Sequence, residues 1–227
     1  MTWPDLCQLV PDWRGTLPED GALVEEKRDG WRCLAYRGID GEHRLWTRNG
    51  MPLNGAEHVR KAMLAMERVA GEKLFLDGEI QVSRMMLVNG EIKLRGTLAH
   101  TKKWFETEWK WDDRVSDGKL HLFDCLTLSE WQAGGSDVPL YQRKKRLADL
   151  WQAAGIDPTV CEPVPDQWCC DAGEVLDMAR GIWAAHGEGV VIKAFDSPYR
   201  RLRSSDWQKV IQENRAKWER AAWRIAA

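Results

Sequence analysis

ALVEEKRDGWRCLAYR, residues 22–37, decides the fold: it reads as two strands, 22–27 and 31–37, around a sharp turn. Gly30 is expected to supply unusual backbone angles at that turn. Lys27 then stands at a strand end beside a glycine, where its amine can approach a phosphate closely and become covalent once it is neutral. A chance Lys-x-Asp-Gly is common enough that the tetrapeptide alone reads equally well as a solvated turn lysine.

Working outward, residues 43–47 predict a third strand ending at an Arg48-Asn49-Gly50 turn. A helix is expected from Gly55 to Ala70, with Asn54 as N-cap, Glu57 at the capping-box position and Gly71 as the stop. Leu74–Val82 reads as a strand interrupted at Asp77-Gly78-Glu79. Asn89-Gly90, between apolar residues of Met86–Leu94, is a strong hairpin signal. Leu120–Leu128 alternates like a core strand, and residues 97–117 have no assignable period. Helices are expected over 140–154, closed by Gly155, and over 172–186, with Asp171 as cap, Glu174 as its partner and Gly187 as stop. Val190–Phe195 reads as a buried strand and 206–225 as a final helix. Antiparallel-type strands with peripheral helices make the class α+β.

The composition is that of a globular chain: 227 residues, 44% hydrophobic, net charge −2. Nothing global announces nucleic acid, yet Lys and Arg outnumber Asp and Glu from Lys193 onward, and a local basic surface can bind phosphates. A solvated charged tail is the competing reading. The six cysteines contain no C-x-x-C pair and read as reduced thiols. With no signal peptide and no apolar run near the ~20 residues needed to span a bilayer, a cytoplasmic protein without a membrane partner is expected. Fourteen tryptophans read mainly as core or interface. The five histidines show no pattern.

The ordered series Lys27-Arg28-Asp29-Gly30, Thr47-Arg48-Asn49-Gly50, Asp77-Gly78-Glu79, Phe123-Asp124, Glu188 to Lys193 and Trp207-Gln208-Lys209 changes the balance. This set resembles the motifs of the lysine-adenylating nucleotidyltransferases, and most closely the ATP-dependent DNA ligases. The resemblance covers residues 22–211. It implies the nucleotidyltransferase (ATP-grasp-like) fold of antiparallel sheets flanked by helices, with ATP and Mg²⁺ as cofactors. It makes Lys27 the nucleophile on the ATP α-phosphate, with Lys193 and Lys209 offsetting phosphate charge. Glu79 and Glu188 match the acidic residues that hold ribose or a divalent metal, Phe123 the aromatic that stacks on adenine, and Glu25 the residue that reads the adenine amino group. Arg32 and Arg48 match arginines near the sugar and the 5′-phosphate of a nick. Asp29 is expected to orient the turn. Taken alone, Phe123 reads as core, Glu79 and Glu188 as surface carboxylates, and Asp124 as a strand brace.

Two departures follow. Ile211 stands where the family's last motif carries a second lysine. Only a short segment follows it, so residues 1–211 are expected to form the adenylation domain and 212–227 a C-terminal helix. This is a minimal, bacteriophage-like form without an OB-fold domain, the latter supplied by a protein partner if at all. In that helix Ile211, Trp218, Ala222 and Ile225 fall on one stripe, with Lys217, Arg220 and Arg224 opposite. They read as a docking helix with a solvated face, or as a grip on DNA phosphates. Lys93, Arg95, Lys102 and Lys103 in the Trp-rich 86–117 region are further candidate DNA contacts. The expected function is sealing of 5′-phosphate/3′-hydroxyl nicks in duplex DNA by a monomer through lysyl-AMP. RNA ligation or RNA repair is the alternative within the class, and a nick-binding or partner-recruiting module with weak adenylation is the alternative outside it.

Overall fold

The structure, a computed structural model, describes residues 5–88, 91–107 and 118–218, with backbone alone at 86–88 and 93–95. In chain order it runs β1 (Ala22–Lys27), β2 (Trp31–Arg37), β3 (His43–Thr47), β4 (Pro52–Leu53), α1 (Glu57–Ala70), β5 (Leu74–Val88), β6 (Glu91–Gly96), α2 (Leu98–Glu106) and β7 (Gly118–Thr127). There follow α3 (Leu128–Gln132), β8 (Gly135–Ser136), α4 (Leu140–Ala153), β9 (Cys161–Pro163), β10 (Asp166–Cys169), α5 (Ala172–Ala184), β11 (Gly189–Ala194), β12 (Tyr199–Arg200) and β13 (Trp207–Ile211). The described residues divide into two compact units: one from residues 5–28, 135–142 and 164–218, the other from 29–88, 91–107, 118–134 and 143–163.

The first unit is built on a four-stranded antiparallel sheet ordered β10-β1-β11-β13. Val24, Val190, Ile192 and Val210 bury one of its faces with Val175, Ala179 and Trp183 of α5 and with Trp13 and Trp218. The helix starts where the Asp171 carboxylate accepts from Glu174 N. Glu174 itself accepts from Cys170 N, one residue outside the capping-box position. The outer edge of β13 is closed by residues 11–13: Lys209 N donates to Pro11 O and Trp13 N to Lys209 O.

The second unit carries a seven-stranded sheet ordered β4-β3-β2-β5-β7-β9, with β6 added to the far end of β5. Val59, Met63 and Met66 of α1 pack with Cys33, Ala35, Leu74, Leu76, Leu120 and Leu122 in its main core. A second aromatic group joins Tyr36, Phe75 and Trp131, the last two stacked at 5.0 Å. Asp124 and Arg143, both fully buried, form a two-point ion pair that ties β7 to α4. The strand-brace reading of Asp124 is the one the structure supports.

Several expectations need correction. The Asp77-Gly78-Glu79 interruption is a β-bulge inside one continuous strand: Asp77 faces Asp124, Gly78 faces Leu122, and Phe123 is the extra residue of β7. Helix α1 begins at Glu57 after Ala56 with no side-chain cap, so Asn54 is not its N-cap, and Glu57 pairs with Arg60 instead. Residues 207–211 form strand β13, not the start of a helix. The β11 ladder and the 11–13 segment satisfy its backbone on both sides, which a helix could not use. Residues 215–218 are helical; Arg220 and Arg224 lie outside the described residues. Gly187 is not the left-handed residue closing α5. That residue is His186, with φ 62°, and Gly187 N bonds Ile182 O one position later. The unassigned stretch contains α2, capped by Thr97. Residues 108–117 and the Asn89-Gly90 turn lie outside the described residues, although the β5–β6 pairing runs to Val88–Glu91 as a hairpin there requires.

The cysteines are all free thiols; burial, helped by the Glu174 carboxylate, pushes Cys169 up to about 11. Among the described residues no helix is long and apolar enough to cross a membrane.

His43 provides a test of the second unit. It is buried opposite Arg37, neither ring nitrogen has a hydrogen-bond partner among the described residues, and burial plus the Arg37 and Arg60 charges lower it to about 4. Above the ordinary value of 6.5 the ring is neutral in both folded and unfolded chains and its contribution is present in full. As pH falls from 6.5 towards 4 the unfolded chain takes the proton first, and that contribution is lost. Urea unfolding should therefore show a loss on the order of 2 kcal/mol across this window, and His43→Leu should flatten that part of the profile.

Candidate functional site

Strand alternation sorts the charged residues of the first unit. In the β1–β11–β13 ladder, Glu25 faces Val191, Lys27 faces Gly189, Lys193 faces Trp207, Val191 faces Lys209 and Gly189 faces Ile211. Glu25, Lys27, Val191, Lys193, Trp207, Lys209 and Ile211 therefore share one face, opposite the one covered by α5. Three of the predicted phosphate-facing lysines and Glu25 are brought together by register alone.

On that face Lys27 Nζ donates to Glu188 Oε2 at 2.7 Å, with both side chains about one quarter exposed. Glu188 ends the loop from α5, and Gly189 must be glycine. Its φ is +149°, and an added Cβ would lie 2.0 Å from Val210 O. The two acidic and basic residues expected at the adenine and the phosphate pair with each other: Lys193 Nζ lies 2.7 Å from Glu25 Oε2, both nearly fully buried. Lys193 also sits 4.1 Å from the centre of the Trp207 ring, a cation–π contact. Lys209 is half-buried and 3.8 Å from Asp12. Ile211 is buried, in the row that Lys209 begins.

The second unit holds the remaining predicted residues. Arg32 and Glu79 face each other across β2 and β5. Arg32 makes two 2.6 Å hydrogen bonds to the fully buried Asp77, and its guanidinium lies 4.5 Å from the centre of the Phe123 ring. The bulge explains the last contact, because an extra residue in β7 shifts the alternation and puts Phe123 beside Arg32. Glu79 Oε1 accepts from Gly30 N. Gly30 has no positive φ; it is required because a Cβ would stand 2.4 Å from Ile80 O. Asp29 Oδ1 accepts from Leu98 N at the head of α2, in keeping with an orienting role. Arg48 is exposed in the turn after β3.

Among the predicted DNA contacts, Lys102 and Lys103 are exposed on α2, the former 3.6 Å from Glu106. Lys217 is exposed with its amine 4.4 Å from the Trp218 ring centre. The side chains of Lys93 and Arg95 lie outside the described residues. Among the described residues no cluster of three His, Cys, Asp or Glu side chains is arranged to hold a metal. Sequence reasoning missed Asp77 as the partner of Arg32, Val191 as the half-exposed apolar member of the lysine face, and Trp183, whose indole N–H reaches Glu188 O at 3.2 Å. Only Val191 carried a legible signal, its parity with Lys193.

Comparison with known proteins identifies the family. The family model described as ATP dependent DNA ligase domain matches residues 4–210. A DNA ligase of Haloferax volcanii is 30% identical over 200 residues, 83% of this chain and 30% of that protein. A DNA ligase of African swine fever virus is 20% identical over 181 residues, 80% of this chain and 38% of the relative. The chain thus spans little more than a third of these relatives at most. The solved ATP-dependent DNA ligase of bacteriophage T7 in complex with ATP superposes with a TM-score of 0.69 at 18% identity, covering 92% of this chain and 69% of that one. With residues 4–210 matched, the chain belongs to the ATP-dependent DNA ligase domain family and has its α+β nucleotidyltransferase fold.

Proposed function

We propose that this chain carries out ATP-dependent sealing of 5′-phosphate/3′-hydroxyl nicks in duplex DNA. The observation that carries the reading is the single sheet face on which Lys27, in contact with Glu188, shares a register with Lys193 and Lys209. The Lys27 amine, once it has lost a proton to solvent, attacks the α-phosphorus of ATP through its lone pair and sheds a second proton as the bond forms. A nitrogen–phosphorus bond forms as the bond to the bridging oxygen of the β-phosphate breaks, and pyrophosphate leaves. A 5′-phosphate oxygen of the nick then bonds to the AMP phosphorus as the nitrogen–phosphorus bond to the lysine breaks, and the 3′-hydroxyl, losing its proton to solvent, attacks the 5′-phosphorus and expels AMP. Glu188 orients the amine before attack. Lys209 and Lys193 oppose the charge that builds on the phosphate oxygens. In the first unit Val191 offers apolar surface on the lysine face; in the second, Phe123 offers an aromatic ring for a base and Arg48 a planar guanidinium for a phosphate.

Mg²⁺ takes one or two carboxylates with phosphate and water oxygens, so Glu188 in the first unit and Glu79 in the second are each a suitable oxygen donor. It would supply charge neutralisation at the triphosphate. Nicked duplex DNA is the proposed macromolecular partner, met by backbone contacts from Lys102, Lys103 and Lys217. An OB fold for gripping the duplex is proposed to come from a partner protein or a longer chain.

Incubation with ATP and Mg²⁺ should add one AMP to the protein by intact mass. Lys27→Ala should abolish labelling, and so should Lys27→Arg, whose guanidinium does not deprotonate in proteins. AMP on another residue would overturn the assignment.

Ile211 offers a second measurement. It lies two residues beyond Lys209 on the same face, where a lysine would add a cation facing the triphosphate. Ile211→Lys is expected to speed self-adenylation by about tenfold, and to speed sealing of pre-adenylated nicks much less. An unchanged adenylation rate would mean that this end of β13 takes no part in nucleotide chemistry.

A further inference from the structure

The Lys27–Glu188 contact depends on how the short loop between α5 and β11 is held, and that loop is unusually constrained. His186 takes the left-handed conformation at φ 62°, which disfavours a residue with a side chain, in the turn that closes α5. His186 N donates to Trp183 O at 2.9 Å and Gly187 N to Ile182 O at 2.8 Å. The next carbonyl, that of Glu188, accepts two hydrogen bonds: one from the Trp183 indole Nε1 at 3.2 Å, the other from Gln212 N at 2.9 Å. Trp183 is only 4% exposed, packed in the core beneath the sheet, and the Arg215 guanidinium lies 5.9 Å from its ring centre. The last turn of α5 therefore grips the backbone on both sides of the Glu188 Cα, by the Gly187 amide before it and the Glu188 carbonyl after it. A carboxylate so anchored has little freedom except at its own side-chain torsions, and it ends on Lys27.

We infer that Trp183 is a positioning residue for the nucleophile: its indole N–H fixes the Glu188 backbone so that the carboxylate holds the Lys27 amine in one orientation. This deepens the adenylation reading and rests on it for its catalytic consequence, but the mechanical claim stands apart from it. Nothing about Trp183 touches the reacting atoms. Its effect passes through Glu188, which separates it from a residue that merely fills the core.

The experiment uses Trp183→Phe, which removes the donor and keeps an aromatic ring in the core, in the whole chain. Two readouts are taken at one fixed pH. One is the acetylation rate of Lys27 by acetic anhydride, followed by peptide mass; the other is the rate of AMP labelling at saturating ATP. Trp183→Phe should raise the rate of Lys27 acetylation at fixed pH, because the amine is held less firmly on Glu188. It should also lower the maximal labelling rate by about three- to tenfold, with the half-saturating ATP concentration nearly unchanged, as expected for loss of one hydrogen bond acting on orientation. In a Glu188→Gln background the same substitution should have little further effect on Lys27, because the route runs through that carboxylate. An effect of equal size in both backgrounds, or a wild-type acetylation rate in Trp183→Phe, overturns the inference. Should Trp183→Phe fail to fold, Gln212→Pro removes the other donor to the same carbonyl. Proline is tolerated there because Gln212 opens a short 3₁₀ turn after an extended residue. It must then show the same dependence on Glu188. If the wild-type protein takes up no AMP while the coupling between Trp183, Glu188 and Lys27 acetylation holds, the positioning role stands and the adenylation reading falls.

Discussion

Glu25 and Lys193 are almost completely buried and 2.7 Å apart on neighbouring strands, and the lysine face of the first unit depends on that pair. Removing either charge from water is costly, and the cost is offset only when the partner is at hydrogen-bond distance. That requirement ties β1 to β11 at one register. Side chains alternate strictly along a strand, so a slip of β1 by one residue would turn Lys27 towards α5 and bring Val24 out of the core. Trp207 lies against Lys193 and brings β13 into the same register, which puts Lys209 and Ile211 on the face that Lys27 uses. The ion pair is weak as a source of net stability and strong as a constraint on which atoms share a surface.

The second unit meets a similar problem. Asp77 and Asp124 are fully buried neighbours across β5 and β7, where two carboxylates would repel. Each is given its own guanidinium, Arg32 for the first and Arg143 for the second, through paired hydrogen bonds. The bulge at this point does two things at once. It lets the acidic pair sit on the ladder, and it puts the extra residue, Phe123, against the Arg32 guanidinium. Arg32 is consequently a structural clamp as well as a candidate contact to the nucleotide. Loss of activity on its removal would mix the two roles, whereas Arg48, exposed in its turn, carries no such burden.

What the sequence made legible were features with local causes. The strands flanking Lys-Arg-Asp-Gly, the Asp171 start of α5 and the Gly71 end of α1 follow from patterning and capping within a few residues. The lysine face followed from an ordered motif series, not from any one spacing. The misses have non-local causes. Lys27 and Glu188 are separated by 161 positions, and no local rule pairs them. Strand β13 was hidden because Ile211 and Trp218 mimic a helical stripe; the competing signal, a ladder partner in β11, exists only after folding. The bulge is a property of two strands, and a run such as Asp-Gly-Glu announces only that one strand is disturbed. His186 was missed because the glycine beside it is the expected left-handed residue. Gly187 is needed instead for space, its Cβ position lying 2.5 Å from Ile182 Cγ2.

Lys27-Arg28-Asp29-Gly30 is best understood as four residues under four separate constraints. Lys27 is fixed by the β1–β11 ladder and reaches Glu188. Arg28 pairs with Glu26, its neighbour two residues back on the same side of the strand. Asp29 is engaged by the Leu98 amide at the start of α2, so it already has a structural task. A chemical role for its carboxylate at the amine of Lys27 would have to break that bond. Gly30 donates to Glu79 and leaves room for the Ile80 carbonyl where any side chain would collide. The division between the units falls between Arg28 and Asp29. Within this short run the proposed chemistry is therefore assigned to the lysine alone. The aspartate and glycine are there because the backbone leaving Lys27 must at once satisfy an amide in α2 and pass close to β5.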